Sequence, residues 1–474
     1  MKGKPLYRYG TVVVLGLAVL VGVVVAVGGL FERRLQEEPA APAGTGSVQA
    51  AARPNVLIIL TDDHPVRKDF YSVMPETMRI FREGGRHYTN GVATTPICCP
   101  ARTSLFSGQY VHNHGVIGNV APGRFKPTRT MQRELRSAGY YTAISGKFLN
   151  AWNASPPDFD KWAMMLGQAR YSNVDFDVNG TVINQPGYTT TVIRDHALRF
   201  LDEFEVADDA KPWFMQVSPL APHGPATPEK QFTGVPVPVW RDNPATSETD
   251  LSDKPAYVRE QGVAKRATQV FRSQQARTLK SVDVMVAALF EKLTALGEAE
   301  DTLAIFMGDH GHMLWEHQLR GKKYPYNQTI RTPFFVRWPG HMAPGSVSSD
   351  IVANIDVAPT VYEAAGVTPS YVVDGKPLGS PPRQHILVEY LANDQTQPNY
   401  QGLWTPSWEY LRYRNNTRFP RIETTDPREY YGPNDPWQLN NVYGDGVAGN
   451  EPANQAELDA MVQRASTCTG ADCP

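Results

Sequence analysis

Four cysteines occur in 474 residues, and two of them are neighbours, Cys98 and Cys99, in the run Ile97-Cys98-Cys99-Pro100-Ala101-Arg102. A buried pair of small apolar residues is the ordinary reading of such a dipeptide, but polar and reactive neighbours surround this one. Asp62 and Asp63 are adjacent acids, and Asp309 and His310 pair a carboxylate with an imidazole. Oxygen donors of this kind suit hard divalent cations such as Ca²⁺, whereas an imidazole nitrogen suits Mn²⁺ or Zn²⁺ better. Adjacent acids after a strand are otherwise surface or capping residues. Lys147 in Ser145-Gly146-Lys147 and His223 in Ala221-Pro222-His223 add a cation and a group able to exchange protons near neutral pH.

What these residues share is their place in the chain. Asn55 to Leu60 runs into Asp62 and Asp63, and Tyr141 to Ser145 runs into Lys147. Trp213 to Val217 leads toward His223, and Thr302 to Met307 toward Asp309 and His310. Each run is continuously apolar and β-rich, as expected of a strand buried on both faces. Between them lie helical patterns, the clearest with Leu279, Val282, Val286, Leu289 and Leu293 at spacings of three and four. Alternating strands and helices predict an α/β fold, a large mixed but mainly parallel sheet sandwiched by helices. Its functional site lies outside the carboxyl ends of the strands. After about Pro381 the texture becomes aromatic and turn-rich, which predicts a smaller C-terminal antiparallel sheet subdomain, closed by a short helix over Gln455 to Arg464. The expected division is a catalytic domain over 54–381 and a subdomain over 382–474.

With 46 basic and 48 acidic side chains the chain has no global field to recruit nucleic acid, so anion recognition has to be local. The N-terminus is a separate object. Lys2, Lys4 and Arg8 precede an uncharged apolar run from Thr11 to Phe31, long enough to cross a hydrocarbon core of roughly 30 Å. Residues 1–34 therefore read as a membrane anchor or a signal segment, with the N-terminus cytoplasmic by charge bias. Ala, Pro and Gly over 35–53 read as a linker. In either case the catalytic body is extracytoplasmic, membrane-anchored or secreted. Cys468 and Cys473 are then able to close a short loop after the last helix.

The run from Cys98 through Pro100 and Arg102 to Ser107-Gly108 resembles the signature of the type I sulfatases, in the alkaline phosphatase-like superfamily. The resemblance covers nearly everything from Asn55 to Cys473. It implies that Cys98 is oxidised to formylglycine by a formylglycine-generating enzyme, while Cys99 holds a variable position. The hydrated aldehyde is a gem-diol: one oxygen attacks sulfur in line, and the other later expels sulfate as the carbonyl reforms. The resemblance also implies one divalent metal at Asp62, Asp63, Asp309, His310 and residue 98. Ca²⁺ is the expected ion, with Mn²⁺ or Mg²⁺ as alternatives. Arg102, Lys147, His223 and Lys322 match the family's residues around the diol and the sulfate.

Three positions depart from the commoner pattern. His310 stands where most sulfatases have Asn; Leu149 stands where many have a second histidine, with Asn150 beside it as a candidate substitute; and Asn327 replaces an acid five residues after Lys322. Lys323, His312 and His317 are read as solvated face residues. Gly108-Gln109-Tyr110 and His112-Asn113-His114-Gly115-Val116 look like the N-acetylglucosamine-6-sulfatase and arylsulfatase branch. The implied activity is hydrolysis of aryl or sugar sulfate monoesters, the substrate being a sulfated small molecule or glycan. The alternatives are a phosphonate or phosphate monoester hydrolase of the same superfamily and a silent sulfate-binding homologue.

Overall fold

Side chains of strand β1 (Asn55–Thr61) alternate between two separate apolar layers. Leu57 and Ile59 join one, and Val56, Ile58 and Leu60 the other. The first layer is covered by helices Thr189–Asp208 and Lys265–Ala295, the latter carrying the predicted Leu279 to Leu293 stripe. The second is covered by helices Cys98–Ser107, Met131–Ser137 and Val357–Ala365. Both faces of the sheet are thus dry, which is why its strands read as continuous hydrophobic runs.

The computed structural model describes residues 53–474, other than 120–121, 168, 261–264, 393–396, 415–427, 448, 450 and 453. These fall in one unit, Ala52–Pro474. The expected anchor or signal segment and all but the last residue of the linker lie outside the described residues. Among the described residues no helix is long and apolar enough to cross a membrane.

Besides β1 the main sheet contains β2 (Arg86–Val92), β3 (Tyr141–Gly146), β4 (Lys161–Met165), β5 (Ser172–Val178), β6 (Thr181–Tyr188), β7 (Trp213–Ser218) and β8 (Thr302–Gly308). A two-stranded ribbon, β9 (Met313–Leu314) with β10 (Arg320–Gly321), stands apart. The main sheet is completed by β11 (Phe334–Arg337) and β12 (Ser346–Ala353), giving the order β12-β2-β11-β8-β1-β7-β3-β4-β5-β6. Its centre, β8-β1-β7-β3-β4, is parallel, and β11 is antiparallel to both β8 and β2. The β4-β5 and β5-β6 pairs are antiparallel as well. A second, wholly antiparallel sheet is built from β13 (Ile386–Tyr390), β14 (Asn399–Trp404), β15 (Glu409–Arg414) and β16 (Arg428–Tyr431). The mainly parallel sheet between helices and the small C-terminal antiparallel sheet are the architecture expected from the sequence.

The apolar run from Ile330 to Val336 is not one strand. Asn327–Ile330 forms a helical turn and the strand begins only at Phe334. Pro333 has no N–H for a ladder, so the continuous ladder starts after it and only an isolated bridge between Arg331 and Val92 precedes it. Cys468 and Cys473 are joined in a disulfide. The loop they close is tied to the segment that follows helix Cys98–Ser107. There the carbonyl of Cys468 accepts from Asn113 Nδ2 at 2.9 Å, and Asp374 Oδ1 accepts from the Gly470 N–H at 2.8 Å.

Candidate active site

The four central strands deliver their reactive residues to one point. β1 ends in Asp62 and Asp63, β3 in Lys147, β7 leads to His223, and β8 ends in Asp309 and His310. Gly146 has φ +108°, and a Cβ there would lie 2.2 Å from the Ser218 carbonyl oxygen, so only glycine lets the chain turn Lys147 inward beside β7. Asp63 also sits at positive φ, +59°, an uncommon conformation for a residue with a side chain. Its N–H donates to Asp309 Oδ1 at 3.1 Å.

Cys98 is the first residue of helix Cys98–Ser107, whose side chains are all buried. Pro100 falls in the first turn, where a missing N–H removes no helical hydrogen bond, and Gly108 ends the helix at φ +65°. Cys98 Sγ is therefore held at a helix N-terminus, where partial positive charge favours an anion. Around it stand Lys322 Nζ at 2.8 Å, His310 Nε2 at 3.4 Å and Asp62 Oδ1 at 3.6 Å. Lys147 pairs with Asp62 Oδ2. Lys322 Nζ also reaches Asp63 Oδ1 at 2.7 Å. Arg102, fully buried, donates from Nε to Asp309 Oδ2 at 2.9 Å and from Nη1 to the Lys147 carbonyl at 3.0 Å. Its Nη2, 3.8 Å from Asp62 Oδ2, has no hydrogen-bond acceptor among the described residues. His223 Nε2 lies 3.7 Å from Asp63 Oδ2, and its Nδ1 donates to the Gly224 carbonyl at 2.5 Å.

The predicted residues are thus brought together, with two differences in detail. Ligating atoms of Asp62, Asp63, Cys98 and His310 lie within 4.8 Å of one another. Asp309 stands beside this group with its oxygens already engaged: Oδ1 accepts from the N–H groups of Asp63 and His310, and Oδ2 from Arg102. Asn150 does not enter the centre. Its N–H meets Cys99 Sγ at 3.0 Å, on the far side of the cysteine pair. Burial pushes the Cys99 thiol up to about 12, which leaves it an inert packing group.

Burial by itself raises the pKa of both Asp62 and Asp63, but the surrounding cations outweigh it. Lys147 with His223, Arg102 and Lys322 holds Asp62 well below the carboxylate range, and Lys322 with His223 and His310 does the same for Asp63. Burial works in the same direction on Cys98, yet Lys147 and Lys322 bring its thiol below the ordinary value. Burial lowers the pKa of His310, but Asp309 and Cys98 carry it up to about 9. Because His310 Nδ1 donates to the Gly311 carbonyl at 2.9 Å, Nε2 is the nitrogen facing the cluster. Two ionised carboxylates, an inward imidazole nitrogen and a negative field that attracts a proton make a donor set that fits one divalent cation.

Two residues read as solvated are not. His312 is buried against Phe271 and donates from Nδ1 to the Met313 carbonyl. His317 is buried between Glu248 and the Tyr326 ring, whereas Lys323 keeps partial exposure. Asn327 ties its helical turn to the second sheet and the segment after it: its Oδ1 accepts from Trp404 Nε1 at 2.7 Å and its N–H meets Gln438 Oε1 at 2.8 Å. Above Asp63 and His223 opens a cavity of about 420 Å³, lined also by Val270, Phe271, His312 and Arg320. Arg320 escaped notice in the sequence. Its one signal was the two-residue spacing from Lys322 in an extended segment, which puts both side chains on one face.

The sulfatase family model matches residues 54–367, and that of the N-sulphoglucosamine sulphohydrolase C-terminal region matches 315–462. The chain belongs to the sulfatase family. It is 34% identical over 345 residues to the extracellular sulfatase SULF-1 homolog of Drosophila melanogaster, covering 69% of this chain and 31% of that protein. It is 28% identical over 350 residues to the human N-acetylglucosamine-6-sulfatase, covering 68% of this chain and 62% of that one. The chain therefore spans about a third of the first relative's length and less than two thirds of the second's. A similar solved structure is that of a protein in complex with its substrate D-glucosamine-2-N,6-O-disulfate, at TM-score 0.76 and 22% identity, covering 87% of this chain and 97% of that one.

Proposed function

We propose that this protein hydrolyses sulfate monoesters through a formylglycine made from Cys98, with one divalent metal, Ca²⁺ by preference, at Asp62, Asp63, Asp309, His310 and residue 98. The observation that carries the reading is the surroundings of Cys98 Sγ: Lys322, His310 and Asp62 within 3.6 Å, in a family whose signature begins at that cysteine. When bound, the metal lowers the pKa of the nucleophilic oxygen and neutralises charge on the transferred group. Formylglycine supplies that oxygen and a second one that releases sulfate.

The remaining work falls to the chain itself. Lys322 and Lys147 offer cations to the sulfate oxygens, and Arg102 holds the loop and donates toward residue 98. His223 is the half-exposed group at the mouth, positioned to give a proton to the leaving alcohol oxygen. Residues 54–381 form the catalytic part and 382–474 the subdomain that packs beside it. Both operate outside the cytoplasm, a reading supported by the disulfide and by the similarity to an extracellular sulfatase homolog of Drosophila melanogaster. Residues 1–34 act as an anchor or as a removable signal.

Mass spectrometry of the tryptic peptide His87 to Arg102 tests the modification, since formylglycine is about 18 Da lighter than cysteine. Fully unmodified cysteine in active enzyme would overturn the mechanism. Modified enzyme is expected to cleave an aryl sulfate with kcat/KM at least about tenfold above the matched phosphate and phosphonate esters, about 1.4 kcal/mol in transition-state binding. A preference for the phosphonate would move the protein to the rival activity. Lys322→Ala is expected to lower aryl sulfate kcat by about 100-fold and raise KM as well, because its ammonium contacts both Asp63 and residue 98. Unchanged kinetics in that variant would remove Lys322 from the site.

A further inference from the structure

Arg320 lines the cavity over Asp63 and His223, and among the described residues no carboxylate pairs with it. Its guanidinium rests on the Phe271 ring at 4.2 Å, which fixes the plane of the fork and leaves its donors for a ligand. It is half-buried, so an unfilled guanidinium there is partly desolvated without a compensating anion. Lys322, Lys147 and Arg102 stand among Asp63, Asp62 and Asp309 and serve the reaction centre itself. Arg320 is a further cation, outside that set, in the cavity that opens over it.

Its neighbourhood extends the pattern. His312 borders this cavity and also a larger groove of about 870 Å³. The acids of that groove, Asp69 and Glu316, are both taken by Arg67. Lys68 and Arg241 remain there with no carboxylate partner among the described residues, and Arg331 Nη2 meets only the Thr89 carbonyl. Basic side chains without a carboxylate partner among the described residues thus line both the cavity over the reaction centre and the groove that borders it at His312.

We propose that Arg320 reads a second anionic group on the substrate, which makes the preferred substrate a sulfated sugar with a further sulfate or carboxylate close to the sulfate that is cleaved. The inference rests on the sulfatase reading above. A planar fork recognises either oxyanion bidentately, so sulfate and carboxylate share the chemistry and differ only in source.

The test uses the full-length, formylglycine-bearing enzyme. Aryl sulfate hydrolysis is measured first; its absence would overturn the sulfatase reading and this inference with it. Then kcat/KM is compared for N-acetylglucosamine 6-sulfate, for glucosamine-2-N,6-O-disulfate, and for N-acetylglucosamine 6-sulfate linked to a hexuronate. The wild type is expected to prefer one of the two doubly anionic substrates by at least about tenfold, as for other sites built around a charged hydrogen bond. Whichever wins identifies the source of the second anion. R320A and R320Q are expected to bring that ratio within about threefold of unity, with R320K intermediate. An active wild type with no preference would overturn the proposal even if no variant folded. So would a preference that R320A leaves intact, or an R320A that loses all three substrates equally.

Discussion

Cys98→Ala is expected to abolish sulfate ester hydrolysis, by at least about 10⁴-fold in kcat, while the protein still folds. Residue 98 is where the cations, the carboxylates and the helix N-terminus converge, and alanine offers no atom to oxidise and none to attack. The fold should survive because alanine is small, apolar and an excellent helix former at the start of a buried helix. A loss of about 1 kcal/mol in stability is the expected cost of one missing sulfur. Cys99→Ala makes the matching control. Its thiol faces Asn150 rather than the carboxylates, so most activity should remain at a similar small cost in stability. Kinetics and thermal denaturation of the two variants decide the matter. A dead Cys99→Ala beside an active Cys98→Ala would show the register to be wrong by one residue.

Asp63→Asn and Asp309→Asn are each expected to cut turnover by at least about 100-fold and to reduce metal content. The two should fail for different reasons. Asp63 is both a member of the tight donor cluster and the partner of Lys322, so its loss weakens the metal and leaves the ammonium without its counter-charge. Asp309 is tied to Arg102 and to two backbone N–H groups, so amide substitution puts a donor where Arg102 needs an acceptor and disturbs the turn carrying Asp63. Exhaustive chelation should mimic both variants, and metal readdition should rescue only the wild type. Activity that persists after chelation, with no metal by elemental analysis, would rule out the metal assignment.

The same carboxylates make a pH prediction for the metal-free protein. Asp63 is held below its unfolded value of 3.8, so its contribution to stability is complete above that pH and is lost as pH falls toward the depressed folded value. Denaturant titrations of metal-free Asp63→Asn should therefore show a shallower loss of stability below pH about 4 than the wild type. Parallel curves would mean that Asp63 titrates no differently in the folded chain.

Much of this site was legible in the sequence because its components are local patterns. A strand buried on both faces is a continuous apolar run, and polar residues placed just after it fall at the sheet's carboxyl edge whatever the loops do. Asp62, Asp63, Lys147, His223, Asp309 and His310 could all be located in that way. Residue 98 came from a motif rather than from periodicity. Its helix is buried on every side and so has no polar face to reveal it.

What the sequence determined by itself was the alternation of strands and helices, the strand ends that bear reactive groups, and the cysteine at the head of a signature. These depend on residues within one turn or one strand of each other. Tertiary structure alone decided how the reactive groups divide their contacts. Arg102 and Asp309 are 207 positions apart and Lys322 and Cys98 are 224 apart, and no local pattern could pair them. The burial of His312 and His317, the turning of Asn150 toward Cys99 and the stacking of Arg320 on Phe271 were decided in the same way. Each follows from which distant element packs against a given atom. That is a matter of packing, and hydrophobic periodicity carries no record of it.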